Sequence, residues 1–136
     1  LVGHWSLVAN VNEKDGKKTD PFGPNPKGLF IYDSSGRYAI QFFRADLQKV
    51  ASNNRLTATA EENKAIVQGS LAHYGTYTVN EKEGTFTIKP EAGTYANWVG
   101  AGQLRKFLIT GDELKITAPL PSVGAGTNYL TLKRLK

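Results

Sequence analysis

The chain has 136 residues, enough for one domain that buries a core without staples. It has no cysteine and only two histidines, which excludes disulfides, thiolate metal sites and cysteine nucleophiles and argues against any metal centre. The net charge of +5 comes from scattered lysines (Lys14, Lys17 and Lys18 in one loop; Lys27, Lys49, Lys64, Lys82, Lys106 and Lys115 singly) rather than a basic face with interleaved aromatics, which argues against nucleic acid as a partner.

Period-2 patterns and chain breakers divide the sequence into eight predicted strands. The first, about Gly3 to Val11, begins at once, with no charged n-region or apolar leader before it. A mature chain whose leader had been removed reads the same, so cytoplasmic and exported locations both stay open. A polar loop follows, closing on Pro21-Phe22-Gly23-Pro24-Asn25-Pro26, too rich in proline for a strand. The second and third strands, Gly28 to Asp33 and Arg37 to Phe43, flank the tight turn Ser34-Ser35-Gly36. Thr59-Ala60-Glu61-Glu62 then forms a capping box, and Ile66, Ser70 and His73 fall on one helical stripe beside Val67, Leu71 and Tyr74. This predicts one short helix, about Ala60 to His73, between strands three and four. The fourth and fifth strands, Gly75 to Asn80 and Thr85 to Lys89, flank Glu81 to Gly84. The sixth and seventh, Gln103 to Thr110 and Glu113 to Thr117, flank Gly111-Asp112. The eighth, Asn128 to Leu135, follows a Pro/Gly-rich loop. No stretch has the apolar length of a membrane span.

Hairpins joining short strands, with a single helix, predict an all-β fold: an eight-stranded antiparallel up-and-down β-barrel forming one domain over residues 1–136. Trp5 at the start of the first strand and Arg134 near the end of the last meet only if those strands become neighbours. Closure of the sheet does that, stacking the guanidinium over the indole as a plug.

Several stretches carry a family resemblance. Gly3-His4-Trp5 resembles the lipocalin G-x-W, and Arg134 the arginine of the closing strand in that family. Gly23-Pro24-Asn25-Pro26-Lys27-Gly28-Leu29-Phe30-Ile31-Tyr32, Gly36-Arg37-Tyr38, Ala72-His73-Tyr74-Gly75-Thr76-Tyr77-Thr78-Val79, Asn97-Trp98-Val99-Gly100 and Gln103-Leu104-Arg105-Lys106-Phe107 resemble the bacterial and fungal lipocalin-like domain family. The resemblance spans essentially the whole chain in order. It implies a calycin-type barrel with an internal cavity and no particular reaction.

Strand parity sorts the candidate interior. On the sixth strand Lys106 is the hardest residue to bury, which turns Arg105 and Phe107 inward. On the eighth, Asn128, Leu130, Leu132 and Arg134 form the more apolar, inward face. The second and third strands leave both faces open, Phe30 and Tyr32 against Leu29 and Ile31, and Tyr38, Ile40 and Phe42 against Ala39, Gln41 and Phe43. An inward guanidinium at Arg105 needs a partner: Glu62 from the helix, a backbone carbonyl, or a ligand carboxylate or enolate. His73 is either a base or acid of suitable intrinsic pKa or a charge complementing the helix C-terminus. Tyr95 and Trp98, in a Gly-rich connection at a barrel end, either cap the core or stack on an entering ligand. The candidate ligand-binding residues are Tyr32, Tyr38, Phe42, Tyr74, Tyr77, Trp98, Arg105, Phe107 and Asn128. If the protein is an enzyme, the candidate catalytic residues are Arg105, His73 and Tyr74.

No G-x-S-x-G, P-loop or dinucleotide fingerprint is present, so no cofactor is expected. Three functions fit. One is binding of a small, mostly apolar ligand with a polar or anionic handle inside the barrel. A second is a cofactor-independent isomerase or cyclase acting on a natural-product-like molecule in the same cavity. The third is a barrel filled by its own side chains. Oligomeric state is not legible.

Overall fold

The structure, a computed structural model, describes residues 1–119 and 126–136. The Pro/Gly-rich connection expected before the last strand falls largely outside the described residues. Nine strands are found among them: β1 Gly3–Lys14, β2 Lys17–Thr19, β3 Lys27–Tyr32, β4 Arg37–Phe43, β5 Ser70–Asn80, β6 Thr85–Gly93, β7 Gln103–Thr110, β8 Glu113–Pro119 and β9 Thr127–Arg134. Eight of these pair in an antiparallel ring, β1-β3-β4-β5-β6-β7-β8-β9, and β9 returns to pair with β1. The result is a closed up-and-down barrel. Closure leaves no free sheet edge around the ring.

The short β2 was not expected. The polar segment after the first strand is a hairpin, because Asp15 and Gly16 both adopt positive φ (52° and 77°). That is the geometry of a two-residue turn matched to strand twist, and it lengthens β1 to Lys14.

The plug is in place. Trp5 lies opposite Arg134 in the register, is fully buried, and carries the Arg134 guanidinium 4.1 Å above its ring. The Trp5 indole N–H donates to the Leu1 carbonyl and Arg134 Nη1 to the Val2 carbonyl, both at 2.9 Å. Gly3 makes room: a Cβ there would sit 2.5 Å from Arg134 Nη1, and its φ of +143° is one that L side chains rarely adopt. Above the plug, Leu7, Tyr32, Phe86, Leu114 and Leu132 fill the barrel floor.

A single α-helix, α1 (Ala60–Gln68), is found among the described residues, between β4 and β5. Its capping box is formed as expected, with Thr59 accepting from the Glu62 amide and Glu62 from the Thr59 amide. It is shorter than the sequence suggested. Gly69 caps it, the Ser70 hydroxyl turns back to the Ile66 carbonyl, and β5 begins at once. His73 is therefore not at a helix terminus. It lies in β5, paired with Ile40 of β4. No helix among the described residues is long and apolar enough to cross a membrane.

Two bulges re-aim side chains. In β1 the register shifts between Leu7 and Ala9, leaving Val8 unpaired. Before it, Trp5 and Leu7 point inward; after it the parity reverses and Asn10 and Asn12 turn into the barrel. In β6 the register against β5 shifts between Tyr74 and Gly75, and Glu91 is the extra residue.

Candidate functional site

Above the filled floor the barrel encloses a cavity of about 490 Å³. That lies within the usual range of small-molecule sites. Its walls are mainly apolar: Phe30 and Phe42 from β3 and β4, Phe86 and Ile88 from β6, Ile116 from β8 and Leu130 from β9. The faces left open on two strands are resolved. Phe30 and Tyr32, and Tyr38, Ile40 and Phe42, are the buried sets. Phe22, from the proline-rich connection, lays its ring edge-on to Phe42 with centroids 4.7 Å apart and closes one side of the mouth. Val67 and Gln68 of α1, with Tyr95 and Trp98 around the 3-10 turn Ala96–Trp98, complete the rim.

Besides Gln68 at the end of α1 and Ser70 at the start of β5, polar groups enter this wall at two places. The first is centred on Arg105, which points inward from β7 as parity required, between the outward-facing Leu104 and Lys106. Its guanidinium bonds the Gln103 side-chain oxygen and, at 3.3 Å, the Leu104 carbonyl. Glu62 is not its partner. That carboxylate is taken up by the Ala51 and Thr59 amides. Among the described residues Arg105 makes no ion pair, and the 120–125 segment contains no acidic residue. Burial consequently pulls the Arg105 pKa below its ordinary value.

His73 lies on the same side of the cavity. Its Nδ1 is 2.8 Å from the Tyr38 hydroxyl, and its ring meets the Trp98 ring edge-on at 5.7 Å. Burial, with a smaller contribution from the Arg105 charge, lowers its pKa to about 4. His73 is thus neutral at physiological pH. The Tyr38 hydroxyl and His73 Nδ1 share this hydrogen bond, and in the tautomer in which Tyr38 donates the ring proton resides on Nε2. Arg105 offers N–H donors to the cavity, and His73 adds a second in that tautomer, with no carboxylate among the lining residues. Burial raises the pKa of Tyr32 and Tyr38, which keeps both phenols protonated even beside the Arg105 charge.

The second polar place is on β1 and β9. Asn128 Nδ2 donates to Asn10 Oδ1 and, at 2.7 Å, to Asn12 Oδ1, and all three side chains line the cavity.

Of the sequence-derived candidates, Tyr32, Phe42, His73, Trp98, Arg105 and Asn128 line the cavity. Four do not. Tyr38 is buried behind His73 and reaches the cavity only through that hydrogen bond. Tyr77 lies lower, with its hydroxyl donating to the Asp33 carbonyl. Phe107 packs edge-on against Phe86 at 5.7 Å, in the floor. Tyr74 is turned out of the barrel: strand parity that points His73 inward forces its neighbour outward, where Tyr74 borders a shallow external groove with Ile31 and Ala39. Both residues lie in β5, so they face opposite sides of the sheet and do not act together in the cavity. Asn10 and Asn12 were missed because nothing in the local sequence marks the bulge at Val8. An unbroken alternation from Trp5 would have put Ala9 and Val11 inside.

A family model described as the lipocalin-like domain matches residues 2–134. Comparison with curated proteins gives no match. The chain belongs to the lipocalin-like domain family, and its barrel carries the general role of that fold, holding a small hydrophobic molecule.

Proposed function

We propose that the protein binds a small, mostly apolar monoanion, with Arg105 and the Nε2–H of His73 receiving the anionic group and the phenylalanine-lined wall covering the rest. One observation carries the reading: a guanidinium stands inside a hydrophobic cavity with no carboxylate partner among the described residues. A buried cation left in that state costs stability, and a ligand anion offsets the cost. Hydrogen bonds to charged groups are worth about 1.5–3 kcal/mol each, so the anchor supplies about ten- to hundredfold in affinity.

A cofactor-free isomerase or cyclase would use the same two donors to polarise a carbonyl. Binding is the better supported reading, because in the tautomer in which Tyr38 donates the accepting nitrogen of His73 is already engaged, which leaves a donor rather than a base toward the cavity.

The test is a fluorescence titration with naphthoate and its neutral analogue naphthylmethanol, against the wild type and Arg105→Leu. The wild type should prefer naphthoate by about tenfold or more, and the preference should vanish in Arg105→Leu. Equal affinity of the wild type for both probes would overturn the proposal.

A further inference from the structure

We infer that Asn10, Asn12 and Asn128 form a second, uncharged subsite that takes a hydroxyl or carbonyl oxygen of the same ligand. The preferred ligand is then a monoanion with a second oxygen remote from the anionic group, and not a single-headed amphiphile such as an unsubstituted fatty acid. The inference rests on the binding proposal above and specifies its ligand class.

The first argument is position. In the ring of eight strands, β5 and β9 are four strands apart by either route. His73 of β5 and Asn128 of β9 therefore face each other across the cavity that both line. A molecule that reaches both polar places is held at two ends, with apolar walls between.

The second argument is hydrogen-bond accounting. The Asn128 amide nitrogen spends its protons on the oxygens of Asn10 and Asn12. That leaves the two amide groups of Asn10 and Asn12 as donors and the Asn128 oxygen as an acceptor, with no further protein partners among the described residues. No buried side-chain polar atom among the described residues is without a partner, so these free atoms are open to the cavity rather than sealed in protein. An alkyl chain laid over them would strip their water and return nothing. A hydroxyl, which both donates and accepts, satisfies them. The third argument is cost. Asn10 is only 3 % exposed, yet a bulge at Val8 turns it and Asn12 inward where apolar side chains would otherwise fill the wall.

The experiment compares naphthoate with a hydroxynaphthoate whose hydroxyl lies on the ring opposite the carboxylate. Both are titrated against the wild type, Asn128→Leu, Asn12→Leu and Arg105→Leu, with folding checked by circular dichroism. The wild type should bind hydroxynaphthoate about tenfold more tightly than naphthoate. Asn128→Leu should erase that difference by weakening hydroxynaphthoate alone, and Asn12→Leu gives the same reading if Asn128→Leu does not fold. Arg105→Leu should weaken both probes alike. If the wild type binds the two probes equally while Arg105→Leu weakens both, the second subsite is overturned and the anionic anchor stands. If Arg105→Leu changes neither affinity, the anchor fails and the subsite inference falls with it.

Discussion

Acidification from about pH 7 to about pH 5 should cost the wild-type protein about 2 kcal/mol of folding stability through His73 alone. In the folded state burial, and secondarily the Arg105 charge, hold its pKa at about 4, against an ordinary value of 6.5. Between those two values the unfolded chain binds a proton that the folded chain refuses, so stability rises with pH across this window and is lost as pH falls through it. The full gap is worth about 3 kcal/mol at about 1.4 kcal/mol per unit, and about 2 kcal/mol of it has developed by about pH 5. The comparison protein is His73→Asn, whose side-chain oxygen keeps an acceptor for Tyr38 while removing the titrating ring. Urea unfolding of both proteins at the two pH values isolates the His73 contribution, because the other titrating groups are common to both. The wild type should lose about 2 kcal/mol more than His73→Asn. Equal losses would refute the reasoning, since they would mean that the ring is solvated in the folded state and does not line a desolvated cavity beside Arg105.

Trp5→Ala should destabilise the protein by about 3–5 kcal/mol in urea unfolding, as expected for a fully buried large aromatic; an unchanged midpoint would remove the plug from the account. Arg105→Leu should leave the unliganded protein at least as stable as the wild type, because it replaces a desolvated cation lacking a carboxylate partner among the described residues with an apolar side chain. A clear drop in its melting temperature would mean that Arg105 serves the fold and not a ligand.

Much of the barrel was legible because its signals are local. Ser34-Ser35-Gly36 and Gly111-Asp112 mark turns, Lys106 fixes the parity of β7, and Thr59 with Glu62 starts α1. What was not legible depends on register. The helix end was misread since Ile66, Ser70 and His73 fit a helical stripe as well as Leu71, His73 and Gly75 fit an alternating strand. Gly69 and the Ser70 hydroxyl decide between them only once β4 is there to pair with β5. Arg105 was legible because a cation flanked by outward residues has one face left. The asparagine cluster was not, because a one-residue bulge in β1 reverses which side chains face in, and that bulge is set by pairing with a strand more than a hundred residues away.

The central claim is that a ligand anion completes Arg105 inside the barrel, and a crystal structure of the protein with naphthoate tests it most directly. The account predicts the carboxylate within about 2.7–2.9 Å of the Arg105 guanidinium, in hydrogen-bond reach of His73 Nε2, with the rings against Phe30 and Phe86. Naphthoate seated in the external groove beside Tyr74, or bound inside with its carboxylate directed out of the mouth and Arg105 unpaired, would contradict it.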